Sequence, residues 1–175
     1  MDLRYPIDRF TMPAITTPEE RAVWIRNIAE LPMQLRQVVE GLTESQLDTP
    51  YRPDGWTIRQ VVHHLADSHM NAFIRLKLAL TEHQPVVKTY DEARWAELTD
   101  STHYPVEPSL TLLDALHQRF ADLLRSLSEE DLARTFSHPE WGLVRMDQQV
   151  ALYSWHGRHH VAHAAIGAKR AREAS

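Results

Sequence analysis

The sequence contains no cysteine in its 175 residues, and this absence limits the chemistry that the protein can use. Without cysteine, a disulfide framework, a thiolate metal site, an iron–sulfur cluster and a cysteine nucleophile are all excluded. Any metal ion must therefore be held by histidines and carboxylates.

Glycine, basic charge and long apolar runs are also scarce. The five glycines, at positions 41, 55, 142, 157 and 167, are too dispersed to form a glycine-rich phosphate loop. The 19 basic and 24 acidic residues give a net charge of −5, so we expect no general nucleic-acid surface. No apolar run approaches the ~18 residues of a membrane span, and residues 1–7 do not resemble a signal sequence. We expect a cytoplasmic protein that acts on a small molecule, without nucleic acid or membrane as a partner.

Prolines separate four long segments that have helical periodicity. The first segment opens with Thr17, Pro18 and Glu20, which predict a capping box with proline at the first helical position. This helix should end near Gly41, and Pro32 should bend or divide it. The other three helices are expected over residues 57–81, from about 109 to 127, and from about 147 to 172.

A long connection separates the second and third predicted helices. It spans residues 82–108 and contains one more short helical segment at 91–98. A crossover of this length suits two parallel neighbours in a bundle, and strand-period alternation is scarce throughout the sequence. The sequence therefore predicts an all-α fold, a single four-helix-bundle domain over residues 1–175 with a long crossover between helices two and three.

Histidine is the one residue type in clear excess, with 11 copies. Seven of them lie in residues 63–69 and 156–163, which fall on the second and fourth predicted helices. The four histidines of the second segment share an arc of about 100° on a helix, so they occupy one face. The remaining histidines are expected to be surface or packed core side chains: His83, His103, His117 and His138.

Two pairs on the fourth helix have the spacing that lets imidazoles on successive turns bind one ion. They are His156/His160 and His159/His163, and periodicity does not choose between them. A third ligand from the second helix would complete a three-histidine site with an open position, as in catalytic zinc sites. A pH-sensing cluster and a solvated polar face are the alternatives. The candidates for the third ligand are His63, His64 and His69.

The segment QVVHHLADSHMN at residues 60–71, preceded by GWTIR at 55–59, resembles the DinB superfamily. The similarity is greatest to its YfiT-like branch of metal-dependent hydrolases. Further similar stretches lie at residues 5–7, 45–52, 90–92 and 155–163, so the resemblance spans nearly the whole chain. Gly157 and Arg158 depart from the family pattern, so we expect a different wall beside His159.

This resemblance implies a four-helix bundle that holds one divalent metal ion per chain, zinc in the first place and nickel in the second. The implied ligands are His64, which stands before Leu-Ala, and the pair His159 and His163, whose last member follows Ala162. The resemblance thus selects one of the two pairs that periodicity left open. It also implies a homodimer.

Two further residues are candidates for a catalytic role, Asp67 and His160. Asp67 lies three residues after His64 and can orient a ligand or act as general base toward water. The alternative for Asp67 is a surface ion pair with Arg75 or Lys77. Other candidates for the pocket are His63 and His156.

Three functions are compatible with such a site. The first is a hydrolase in which the metal ion activates water. The second, implied by relatives within the superfamily, is transfer of a low-molecular-weight thiol such as bacillithiol, with the metal binding the thiolate. The third is a non-catalytic metal-binding module, which a fourth ligand from His156, His160 or Asp67 would indicate, because structural sites fill their coordination.

Overall fold

The computed structural model describes residues 2–174, and most of them are helical. Two of its four long helices each pack against both of the other two, so the four-helix bundle predicted from the sequence is confirmed. The long helices are α1 (Pro18–Val39), α3 (Ile58–Thr81), α6 (Glu107–Arg125) and α8 (Met146–Glu173). The short helices are α2 (Glu44–Leu47), α4 (Glu92–Ala96), α5 (Thr99–Thr102) and α7 (Glu129–Ala133).

Threonine side chains begin three of these helices, and one of them forms the capping box that the sequence predicts at Thr17. Thr17, Thr43 and Thr57 each accept a hydrogen bond from the backbone of the third helical residue. The glutamate or glutamine side chain at that position accepts a hydrogen bond from the threonine backbone N–H. Each capping box thus satisfies two otherwise unpaired N–H groups. These caps fix where α1, α2 and α3 start.

Pro32 lies inside α1 and does not divide it: the helix is continuous over all of its 22 residues. Proline has no N–H, so the carbonyl of Ile28 lacks the donor that the fourth residue along would normally supply. A side chain of α6 takes that place, since Nδ1 of His117 lies 2.5 Å from the Ile28 oxygen. Of the two effects expected of Pro32, bending or division, the structure excludes division, and the contact with His117 supplies the donor that the Ile28 carbonyl lacks.

The long connection between α3 and α6 contains α4 and α5, which both pack on α3. The sequence did not predict the antiparallel hairpin of β1 (Thr135–His138) and β2 (Gly142–Arg145) that precedes α8. Gly142 has a φ of 70°, a conformation that glycine adopts without steric cost. The connection joins the hairpin through a parallel bridge from Val86 to Ser137.

Glycines allow α8 to approach its neighbours closely. A Cβ atom at Gly157 would lie 2.2 Å from Cδ1 of Leu31 on α1. A Cβ at Gly167 would lie 2.7 Å from Cγ1 of Ile58 on α3. The helix that carries the second histidine segment is therefore held tightly against both partners.

The N-terminal segment, residues 2–16, is bound to α8 through side chains that reach its backbone carbonyls. Nε1 of Trp155 donates to the carbonyl of Asp8 at 2.7 Å, and Nε2 of Gln148 donates to that of Pro13 at 2.8 Å. This segment covers one side of the bundle. Among residues 2–174, no helix combines the length and the apolar character needed to cross a bilayer.

Candidate metal centre

Three histidines from two helices converge beside a cavity in the bundle. His64 lies on α3, and His156 and His160 lie one turn apart on α8. One ring nitrogen from each lies within 4.8 Å of the other two. Nε2 of His64 and Nε2 of His156 are 3.2 Å apart. Two nitrogens of a tetrahedral zinc site are about 3.3 Å apart when each bond is about 2.05 Å, so these residues fit a metal ion.

Local structure sets the positions of these three rings. The capping box at Thr57 places His64 about two turns into α3. The ring centroids of His156 and His160 are 4.5 Å apart, and His160 lies 4.7 Å from His64. Trp56 packs against His64 at 4.8 Å and stacks on His160 at 6.2 Å, so an apolar surface closes one side of the cluster.

Burial keeps these imidazoles uncharged. It lowers the pKa of His64 to about 4, with a smaller contribution from His163. The pKa values of His156 and His160 also lie well below 6.5, first because of burial and then because neighbouring histidines disfavour another charge. Neutral imidazole is the form that binds metal ions, so the cluster is ready for a cation at neutral pH.

The predicted set of His64, His159 and His163 is not the set that the structure brings together. The ring of His159 stacks on Trp155 at 4.4 Å. The ring of His163 stacks on Tyr51 at 4.0 Å, and its Nε2 donates to the carbonyl of Arg4 at 3.3 Å. The pair His159/His163 thus contacts Tyr51 and the N-terminal segment, and the structure favours His156/His160 as the converging pair.

Asp67 and His63 are not part of the converging group. Asp67 is half-buried, and its carboxylate does not line the cavity. Burial and then the nearby Asp100 raise the pKa of Asp67 to about 6. His63 bonds elsewhere, since Nδ1 lies 2.7 Å from the hydroxyl of Ser109 and Nε2 donates to the carbonyl of Tyr104 at 3.2 Å.

Two histidines outside the cluster are more closely connected to it than the sequence indicated. His69 is fully buried, and its Nε2 lies 3.2 Å from Nδ1 of His156. His117 stacks on His69, with ring centroids 4.8 Å apart. The sequence signal for His117 is indirect and comes from Pro32 on α1. A proline inside a helix leaves one backbone carbonyl without its donor, and a side chain from another helix can supply it.

The cavity beside the cluster has a volume of about 590 Å³, within the usual range of sites for small molecules. The N-terminal residues Arg4 and Tyr5 form part of its wall. Other wall residues provide hydroxyl, charged and aromatic groups: Ser68, Arg75, Tyr90, Glu92, His138 and Trp141.

Comparison with known proteins establishes the family. A model of the DinB superfamily matches residues 27–164. The chain belongs to the DinB superfamily. This DinB protein is 54% identical over 162 residues to a protein of Bacillus cereus (strain B4264) named "Putative metal-dependent hydrolase", with 93% of each chain covered. A Bacillus thuringiensis subsp. konkukian (strain 97-27) protein with the same descriptive name matches with the same identity and coverage.

A solved structure supports the same assignment. YfiT from Bacillus subtilis, described as "a probable metal-dependent hydrolase with an unusual four-helix bundle topology", matches the DinB protein with a TM-score of 0.93 and 46% identity. The match covers 97% of this chain and 98% of that chain. The family resemblance predicted from the sequence is confirmed.

We expect the metal-free DinB protein to lose stability as the pH falls from about 6.5 to about 4. Burial lowers the pKa of both His64 and His117 from 6.5 to about 4. Over this range the unfolded chain binds protons that the folded chain does not. The free energy of unfolding therefore falls by up to ~1.4 kcal/mol per pH unit for each histidine. Above pH 6.5 this contribution is fully present.

Urea unfolding of metal-free protein at several pH values measures the slope. The variant His117→Phe removes one of the buried histidines that contribute to the slope, so its stability should depend less steeply on pH than that of the wild type. An equal slope in the two proteins would contradict the assignment of His117 as a buried neutral imidazole.

Proposed function

We propose that this DinB protein is a metal-dependent hydrolase in which His64, His156 and His160 hold one divalent metal ion. The observation that carries the proposal is the convergence of three uncharged imidazoles from two helices at the wall of a 590 Å³ cavity. Three imidazole ligands suit zinc first, and nickel as the second candidate. The names of the Bacillus cereus relative and the description of YfiT support the same activity.

Three protein ligands leave a coordination position open for water or substrate. A divalent ion held by His64, His156 and His160 would lower the pKa of a bound water molecule toward ~7 and would polarise a carbonyl group. The protein contributes the neutral imidazoles, and Trp56 excludes solvent from the side of His64 and His160. Polar groups of the cavity wall, such as the Ser68 hydroxyl and the Arg75 guanidinium, are available to orient a small substrate.

The proposal is tested by assaying metal-loaded and metal-free protein against a panel of esters and amides. Low-molecular-weight thiols with an electrophilic acceptor are assayed in parallel. We expect metal-dependent hydrolysis that the variant His103→Ala, altered at an exposed position, retains. Thiol transfer without hydrolysis would contradict the proposal and identify a thiol S-transferase. Stoichiometric metal without either activity would contradict it in favour of a non-catalytic module.

We also propose that the protein forms a homodimer. Two-fold association of identical chains is the commonest oligomeric arrangement, and a second copy can cover apolar side chains that stay exposed, such as Ile74 and Trp141. Light scattering of untagged protein at micromolar concentration should give twice the chain mass of 20.3 kDa. A particle of the single-chain mass would overturn the proposal.

A further inference from the structure

A buried hydrogen bond fixes the tautomer of His117. The carbonyl of Ile28 can only accept, so Nδ1 of His117, 2.5 Å away, carries the hydrogen atom. His117 is almost completely buried, and burial keeps it neutral by lowering its pKa to about 4. Its Nε2 therefore carries a lone pair and can only accept a hydrogen bond. This atom has no hydrogen-bond partner among residues 2–174.

The contact with His156 fixes the tautomer of His69. If Nε2 of His156 faces the metal position, Nδ1 of His156 carries a hydrogen and donates it to Nε2 of His69, 3.2 Å away. A neutral His69 then carries its own hydrogen on Nδ1. This nitrogen is also buried and lacks a hydrogen-bond partner in the described part of the chain.

The two unpartnered nitrogens are complementary. Nδ1 of His69 is a donor, Nε2 of His117 is an acceptor, and the two rings stack with an interplanar angle of 26°. Leaving both unpaired in the core is unfavourable, because each group gives up its hydrogen bonds to water without a replacement. Because the rings stack, the N–H and the lone pair lie in nearly parallel ring planes and do not point at each other, so a bridging water molecule that bonds to both atoms would pair them.

We propose that His117 and His69, bridged by one water molecule, form a hydrogen-bond chain that runs from the Ile28 carbonyl to Nδ1 of His156 and presents Nε2 of His156 to the metal. Both are positioning residues, and the chain begins at the carbonyl that Pro32 leaves free. This inference rests on the proposed metal site. Histidines that bind metal ions usually donate their second N–H to a partner that fixes ring orientation, and here that partner is another histidine.

The first test reads the tautomers in the metal-free protein. Long-range proton–nitrogen correlation spectra of nitrogen-15 histidine-labelled protein show which ring nitrogen carries the hydrogen. We expect hydrogen on Nδ1 in His117, His69 and His156 of the wild type. Hydrogen on Nε2 of either His117 or His69 would overturn the proposal, and this result does not depend on metal binding or on any variant.

The second test measures zinc affinity by competition with a chelator. His69→Phe should weaken zinc binding about 10- to 100-fold, and His117→Phe should weaken it less, because it acts through His69. His63→Phe is the matched control, since His63 is buried on the same helix but bonds to Ser109 and Tyr104. It should leave the affinity unchanged.

A conservative variant separates the chain from simple packing. His117→Asn can still donate to the Ile28 carbonyl but has no atom at the position of Nε2. It should retain more stability than His117→Phe while weakening zinc binding equally. Unchanged zinc affinity in both His117 variants would overturn the proposal. A wild-type protein that binds no zinc would refute the metal site alone, and the tautomer spectra would still decide on the chain.

Discussion

Alanine at His64, His156 or His160 should each abolish stoichiometric metal binding, whereas wild-type protein purified without a tag should carry about one divalent ion per chain. Nitrogen atoms of these three rings converge to within 4.8 Å, and two imidazoles do not hold the ion at the geometry that the third fixes. Elemental analysis of the variants under identical conditions measures the loss.

His159→Ala and His163→Ala are the matched controls, because they lie on the same face of α8. Their rings contact Trp155 and Tyr51, and Nδ1 of His163 lies 3.4 Å from Nδ1 of His160. Neither ring belongs to the converging group, so both variants should keep the metal ion. Loss of metal in these two variants, with retention in His156→Ala and His160→Ala, would show that the pair implied by the family motif provides the ligands.

The substitution Arg59→Met should lower the free energy of unfolding by about 2 kcal/mol, measured by urea unfolding, because it removes hydrogen bonds from a charged group while the two carboxylates remain open to water. Arg59 is only 3% exposed. Its Nε is 2.7 Å from Asp48, and Nη2 is 2.8 Å from Glu44. Nη1 donates to the carbonyl of Tyr104 at 2.9 Å, so the side chain joins α2, α3 and the long connection. Methionine keeps the apolar stem but leaves these acceptors without their donor.

Arg36→Met is the control for this prediction. Arg36 also binds two carboxylates, Glu107 and Asp114, but about a third of its side chain is exposed. Water competes for such surface pairs, so the loss of stability should be less than a third of that for Arg59→Met. Equal losses in the two variants would contradict the role assigned to burial.

The helical frame could be predicted because its signals are local. Apolar side chains repeat every three to four residues, and Thr17, Thr43 and Thr57 supply caps whose partners lie three residues away. The hairpin was missed because each of its strands has only four residues, too few for a two-residue alternation to stand out from the background.

The metal site could be predicted only in part. The sequence placed the histidines on two helices, and His64 belongs both to the predicted set and to the converging group. The choice between His156/His160 and His159/His163 depends on how α8 is rotated about its axis. Contacts with distant residues such as Tyr51 fix that rotation, so spacing along the helix does not reveal it.

The contact of His117 with α1 lay further beyond sequence reasoning. It joins residues 89 positions apart. The Ile28 carbonyl is free to accept this bond because Pro32 has no backbone N–H. A helical pattern shows which residues face the core, but it does not show which backbone carbonyl remains unpaired there. His117 therefore looked like a scattered core histidine.

The one-sided attachment of residues 2–16 has a consequence for amide hydrogen exchange. Side chains of α8 hold the carbonyls of this segment, but none of the backbone N–H groups of residues 7–16 donates a hydrogen bond to another described residue. These amides should exchange rapidly while the bundle stays closed, because local opening breaks only a few side-chain bonds. Arg4 and Tyr5 of the same segment line the cavity. Slower exchange in this segment would therefore report that a molecule occupies the cavity.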